Sequence, residues 1–355
     1  MHKIDDGIEK KISELSSGEK RQALINIVYA FLKRESEREK YVVIGIDEPE
    51  NSLHTSLCYD QFERLKEISK NNQVLITTHW YGFLPIISEG YSHFLCQEKS
   101  KISFSTYDLY EYRPQVNRNI RERIPINFYL KSTNDLVQAI YYSIIKEHPY
   151  NWIICEGISE KIYFEYFFKK EILDNKLRIL PMGGQSKVIN IFKYLEVPIN
   201  NELKDKNYGK IYCIIDTDNE RCSFVPANVN SNVLFLKRLS NKNNNEKTEL
   251  LNIDHSDSCT TDIEQSLNPV VFKACIELLS NFYKENQIEI SNNTGNTSFI
   301  RNFNNYKLEE YFNQNEGENK ILFSKEYVNL MENDFNDTQY IPNWIEEIRN
   351  KIFRD

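Results

Sequence analysis

Three apolar runs that end on carboxylates constrain this chain more than anything else in it: VVIGIDEPE (42–50), NWIICEG (151–157) and KIYCIIDTDNER (210–221). Each run is continuous rather than alternating, the pattern of a strand covered on both faces, as in a parallel sheet. Helix-like stretches follow, TSLCYDQFERLKEISK after the first and SEKIYFEYFFKKEIL after the second. The strand–helix–strand rhythm predicts doubly wound α/β layers. Open sheets of that kind place their sites at the carboxyl ends of the strands, which is where these acids stand.

The chain has 355 residues, room for two or three domains. Its net charge of −8 draws no nucleic acid by itself, so contact with DNA or RNA needs a local basic patch. The seven cysteines, at 58, 96, 155, 213, 222, 259 and 275, form no CxxC pair. They are expected to be reduced, small hydrophobes of a cytoplasmic protein. No signal-peptide pattern and no run as long as a membrane span occurs, so no membrane partner is expected.

Along the chain, ELSSGEKRQALINIVYAFLKRESEREK (14–40) predicts a helix capped by Ser16 or Ser17, with Leu24, Ile27, Val28, Phe31 and Leu32 on one face. VVIGID and NQVLITTHW (72–80) are expected to be buried strands, and residues 90–113 a hairpin. Pro114 and NRNIRERIP mark a boundary, after which STNDLVQAIYYSIIKEH predicts a helix capped by Ser132, Thr133 or Asn134. A second α/β series follows to about residue 240, and the remainder is expected to be mixed and mainly helical.

Two constellations carry chemistry. The first is LSSGE (15–19), DEPENSLH (47–54) and LITTH (75–79), in that order. A helix N-terminus at Ser16, Ser17 and Gly18 offers backbone N–H groups to a phosphate. Asp47 suits a magnesium shell, Glu48 a water-polarising base, and His79 a contact to a γ-phosphate. These residues resemble the ABC-type ATPase heads of SMC-like proteins, and DEPENSLH resembles the form found in the OLD (overcoming lysogenization defect) family. The resemblance implies ATP and Mg²⁺ as cofactors, with Ser16, Ser17 and Gly18 as signature, Asp47 and Glu48 as Walker B, His79 as switch histidine, and His54 where a D-loop aspartate is usual. No GxxxxGK[ST] occurs in the chain, so the phosphate-cradling loop is expected from a further segment or a partner chain, the alternative being a degenerate head.

The second constellation is Glu156, then Gly183-Gly184, then Asp216-Thr-Asp218. In an extended chain Asp216 and Asp218 point the same way and can face one hard cation. The order resembles the TOPRIM domain of topoisomerases, primases and OLD-family nucleases. That resemblance implies Glu156, Asp216 and Asp218 as Mg²⁺ (or Mn²⁺) ligands and catalytic residues. Glu160, on the first turn of the following helix, and Glu264 and Lys320 downstream are further candidates; Asp262 and Lys325 stand beside the last two.

The pairing of the two patterns resembles OLD-family proteins, which include bacterial anti-phage effectors. It implies a partial ABC-type head (1–120), a linker helix (121–148), a TOPRIM Rossmann-like core (149–240) and a mainly helical extension (241–355). The implied activity is metal-dependent endonucleolytic cleavage of DNA, with homo-oligomerisation through the ATPase portion. RNA as substrate, as in a tRNA-cleaving toxin, and a non-cleaving sensor subunit remain open alternatives.

Overall fold

A computed structural model describes residues 2–5, 8–35, 42–98, 101–119, 126–174, 176–203, 207–217, 232–241, 248–253, 261–279, 306–313 and 317–353. The fold is mixed α/β and divides into two units, Met1–Tyr112 with Asn119–Ile145, and Arg113–Arg118 with Lys146–Asp355.

In the first unit, β1 (His2–Asp5) and β2 (Ile8–Lys11) pair antiparallel, and α1 (Ser17–Glu35), β3 (Val43–Asp47), α2 (Thr55–Ser69) and β4 (Gln73–Thr77) follow. Ser16 closes a capping box at the start of α1. Glu19 N–H donates to Ser16 Oγ at 3.3 Å and Ser16 N–H to Glu19 Oε2 at 2.9 Å. Strands β3 and β4 pair in parallel, Gly45 opposite Leu75. One face packs Ile44, Ile46, Val74 and Ile76 against Ile25, Leu65 and Ile68 of the helices. The other face corrects the expectation of strands buried on both sides, because Val43 is 62 % and Leu75 55 % exposed. Among the described residues the pair has neither a third strand nor a helix on that face. The apolar face expected on α1 also divides. Val28 and Leu32 pack inward beside Ile25, whereas Leu24 and Phe31 lie exposed.

The expected hairpin is β5 (Tyr91–Glu98) with β6 (Lys101–Asp108), and α3 (Tyr112–Asn119) and α4 (Ile126–Ile144) follow. Helix α4 starts before Ser132, which is therefore an interior, fully buried helical residue and not a cap. The earlier start places Phe128 against the rings of Tyr81 and Phe94, with centroids 4.5 and 4.7 Å away.

The second unit is built on one five-stranded sheet. Its elements are β7 (Asn151–Cys155), α5 (Ile158–Phe167), α6 (Lys169–Leu173), β8 (Leu177–Pro181), α7 (Gln185–Glu202), β9 (Ile211–Ile215), β10 (Leu234–Asn241) and β11 (Thr248–Asn252). The order is β11-β10-β9-β7-β8, all parallel except the edge strand β11, which runs antiparallel to β10. The antiparallel strand β11 lies within the region expected to be mainly helical. The rest of that region is helical where described: α8 (Pro269–Leu279), α9 (Tyr306–Asn313), α10 (Glu318–Asn333) and α11 (Asn343–Phe353). These helices close an aromatic core with α5, in which Phe164 meets Trp344 edge-on at 5.9 Å and Phe323 lies 5.0 Å from Phe272. Trp344 Nε1 donates to the Ser266 carbonyl at 2.7 Å, so its one polar atom is satisfied inside the core.

From β7 the chain moves outward to β8, then returns across β7 to add β9 and β10 on its other side. The strand order therefore reverses between β7 and β9, the place where open α/β sheets form a crevice at their carboxyl ends. Glu156 follows β7 and Asp216 follows β9, one on each side of that reversal.

Candidate functional site

Glu156 and Asp216 meet directly: Asp216 N–H donates to Glu156 Oε1 at 2.9 Å. The backbone of Glu156 is fixed from the other side, its carbonyl accepting from Gly183 N–H at 2.7 Å and Gly184 N–H at 2.9 Å. Both glycines have positive φ, 83° and 119°, conformations that side-chain-bearing residues seldom adopt. This explains the Gly-Gly pair between the two acids. Gln185, the first residue of α7, adds a contact from Nε2 to the Asp216 carbonyl at 3.4 Å.

Three further candidates converge here from distant points of the sequence. Glu160 lies buried on the first turn of α5, where it accepts from Ser159 Oγ at 2.9 Å. Glu264 is completely buried in a short 3₁₀ turn, Ile263–Ser266, and Lys320 of α10 brings Nζ to 3.0 Å from its Oε2 and 3.9 Å from Asp262 Oδ2. Asp262 and Gln265 close a capping box around that turn. Lys325 forms no part of this group, and Asp218 lies outside the described residues.

The electrostatics tie the group together. Burial, then repulsion by Glu156 and Glu160, holds the Asp216 carboxyl well above the ordinary carboxylate range. Burial pushes Glu264 up to about 7, against the opposing pull of Lys320. Burial also works against the charge on Lys320, but Glu264, Asp262, Asp216 and Glu160 outweigh it and raise its pKa well above the usual value. The result is a largely buried acidic group with Lys320 beside it.

The donor chemistry suits a hard divalent cation, since every candidate ligand is a carboxylate and the acids repel one another without one. Among the described residues no three His, Cys, Asp or Glu side chains are spaced to hold a metal by themselves. Glu156 and Asp216 could offer a carboxylate oxygen each, and such a cation commonly keeps several waters in its shell.

The acids of the first unit are arranged differently. Asp47 ends β3 and accepts from Thr77 Oγ1, across the parallel pair. Glu48 has φ 43°, a left-handed conformation that costs a non-glycine residue on the order of 1 kcal/mol. Its N–H donates to the Thr77 carbonyl at 3.0 Å, and its carbonyl accepts from Arg21 Nη1 at 2.6 Å, so both flanks are held. Its carboxylate Oε1 lies 3.3 Å from His79 Nε2. The backbone N–H of His79 donates in turn to Glu50 Oε1 at 2.7 Å. His79 and Glu48 are thus adjacent, with His79 exposed and Glu48 half-buried.

Gly18 sits against the same loop. A Cβ on Gly18 would lie 2.3 Å from the Ser52 carbonyl oxygen, so this glycine is required by backbone packing within the unit, whatever it offers to a phosphate. Ser16 Oγ is engaged by Glu19, and Ser17 opens α1. His54 acts as the N-cap of α2, its Nδ1 accepting from Ser56 N–H at 3.3 Å. Glu50 and Thr77 lie inside the motifs DEPENSLH and LITTH, where the sequence marks no role for them, and Arg21 lies outside the motifs. The partners of all three stand 27 to 30 residues away, with no local pattern to mark the contacts.

Residues 2–81 match the family model described as AAA ATPase domain, so that stretch is similar to an ATPase domain. A solved structure from work on ATP-driven dimerization and DNA-stimulated activation of SMC ATPases is 17 % identical to this chain. It covers 33 % of this chain and 69 % of its own length with a TM-score of 0.25, too slight a likeness to carry an argument. No curated protein matches. Among the described residues no helix is long and apolar enough to cross a membrane.

Proposed function

We propose that the second unit is a TOPRIM-type, metal-dependent nuclease that cleaves phosphodiester bonds in nucleic acid, joined to an ATPase head in the arrangement of the OLD family. One observation carries this reading. Glu156, Glu160, Asp216 and the Glu264–Lys320 pair come together at the reversal point of a parallel sheet from segments up to 164 residues apart.

In this reading Glu156, Asp216 and Asp218 would hold Mg²⁺ or Mn²⁺. When bound, the ion would supply charge stabilisation for the transferring phosphate and a more acidic water. The chain's own residues do the rest. The Asp216 amide keeps one oxygen of Glu156 oriented into the crevice. Glu264, raised to about 7 by burial, holds or releases a proton near neutral pH and so suits general acid–base work. Lys320, kept charged by the surrounding acids, offers an ammonium to a phosphate oxygen or a leaving oxygen. The buried strands β7 and β9 exclude water from the floor of the crevice, which strengthens each of these interactions. The ATPase head would control access, its P-loop supplied by another segment or chain, and oligomerise through its nucleotide. The anti-phage role implied by the resemblance would then be exerted through cleavage.

The test is incubation of the chain with plasmid DNA and with total RNA, in Mg²⁺, Mn²⁺ or EDTA. Divalent-dependent cleavage should appear, and Asp216→Asn or Lys320→Met should slow it by about 10²-fold or more. The two substrates decide between DNase and RNase. Undiminished cleavage by a double Asp216→Ala, Asp218→Ala variant would sink the assignment.

A further inference from the structure

The turn that secures Glu156 is itself secured by a residue outside the motif. Gly183 and Gly184 hold the Glu156 carbonyl, and the carbonyl of the preceding residue, Met182, accepts from Asn117 Nδ2 at 2.6 Å. Asn117 belongs to Arg113–Arg118, the part of α3 that groups with the second unit, while the ends of the helix, Tyr112 and Asn119, group with the first. The approach is close. A Cβ on Gly183 would stand 3.1 Å from both Asn117 Nδ2 and Pro114 Cα, so the turn and the α3 segment are packed tightly enough that a side chain there would have to push one of them back. Val116, on the same segment, is completely buried, which restricts how far Asn117 can move. A chain of hydrogen bonds and chain neighbours thus runs Asn117, Met182, Gly183-Gly184, Glu156, Asp216.

We propose that Asn117 is a positioning residue of the nuclease site: by clamping the Met182–Gly184 turn it sets the backbone of Glu156 and hence the carboxylate that meets Asp216. Asn117 touches neither acid, so it acts through the turn alone. The inference rests on the nuclease reading for its effect on cleavage, but the clamp itself is a structural statement that stands apart. The Asn117 amide is the donor in this contact. Asn117→Asp keeps the shape and replaces the donor with an oxygen that faces the Met182 carbonyl, and Asn117→Ala removes the group.

Two readouts on the whole chain test the proposal. Hydrogen–deuterium exchange of a peptide spanning 182–188 reports the Gly183 and Gly184 amides. Both variants should exchange there about tenfold faster than wild type, the equivalent of one net hydrogen bond, with peptides of β9 and α10 unchanged. Oligonucleotide cleavage in Mn²⁺ should show kcat lowered about tenfold with KM within about twofold, since the clamp orients a reacting group and binds no substrate. Exchange at 182–188 identical to wild type in both variants would overturn the clamp. Faster exchange with kcat unchanged in an active enzyme would overturn the positioning role. A wild-type chain that cleaves neither DNA nor RNA would defeat the nuclease reading instead, and the exchange experiment would still decide whether the clamp exists.

Discussion

The chain ends apolar strands on acids in both of its units, yet the two results differ. In the second unit β7 and β9 lie inside a five-stranded sheet, with Ile153, Ile154, Cys213 and Ile214 at most 3 % exposed. In the first unit β3 has only β4 beside it among the described residues, and its residues alternate between exposed and half-buried. Among the described residues, thirteen of the eighteen exposed large hydrophobic side chains fall in the first unit, so the apolar surface described there is the less completely covered. An apolar run states what a strand is able to bury. Whether both faces are buried depends on neighbours that the run does not encode. The electrostatic consequence follows directly: buried Asp216 and Glu264 are pushed upward, whereas Glu48 meets His79 at an edge where His79 is 76 % exposed.

The largest expected effect tests the completeness of the second core. Phe323 is fully buried between Phe272 and Phe312. Phe323→Ala should cost about 3–5 kcal/mol, because the void lies among rings that cannot collapse into it. Chemical denaturation followed by tryptophan fluorescence of Trp344 and Trp152 would measure it, and a loss under about 1 kcal/mol would mean the helical region is loosely packed.

The next effect concerns pH. Glu264 rises from an ordinary 4.5 to about 7 in the folded chain. Unfolding therefore releases its proton between those values, and its contribution to stability is fully present below pH 4.5 and lost as pH rises through 7. The full change is about 3 kcal/mol. Asp216 is raised too and adds the same sign. Glu264→Gln should remove its share, leaving a flatter stability profile between pH 4.5 and 7.5 in EDTA. An unaltered slope would show that Lys320 keeps Glu264 ionised throughout.

How much of this was readable follows from the reach of each signal. Glu156, Gly183-Gly184 and Asp216 were legible because each ends or begins a regular element, and the local pattern announces strand, turn and helix. Glu160 was legible by its place on the first turn of α5. Glu264 and Lys320 were legible only as residue types in the right region, since a short 3₁₀ turn and a late helix carry no mark of what faces them. Asn117 was not legible at all: an asparagine beside a charged stretch reads as surface, and its partner is a backbone carbonyl 65 residues away. The start of α4 was missed because polar Ser132 and Thr133 resemble caps, while Phe128 settles the helix by packing. The open face of β3–β4 was missed because Val43 and Leu75 are the residues of a buried strand.

A moderate effect separates packing from phosphate binding at the signature. Gly18→Ala places a methyl carbon against the Ser52 carbonyl and should destabilise the first unit by about 1–3 kcal/mol without any nucleotide present. Gly45→Ala, with nothing within 4 Å of the added carbon, should be neutral or slightly stabilising. Thermal melts of the two variants without nucleotide would make the comparison. Equal stability would return Gly18 to a purely nucleotide-facing role.

The smallest expected effect bears most directly on the contrast between the units. Leu75 stands opposite Gly45 on the open face, 55 % exposed, and removing its apolar surface costs the isolated chain little. Leu75→Gln should change stability by no more than about 0.5 kcal/mol, the ordinary range for surface positions. The same substitution at Ile153, the corresponding centre of β7, would bury an amide among apolar neighbours and should prevent folding of the second unit. The informative outcome is the behaviour of Leu75→Gln as concentration rises. An exposed leucine and valine on a parallel pair favour association, because the only way to remove them from water is to meet another surface. Light scattering should therefore show less self-association in Leu75→Gln than in wild type at equal concentration, with the melting temperature unchanged. A lowered melting temperature at high dilution would mean that Leu75 is already covered within the single chain, and the difference drawn between the two sheets would disappear.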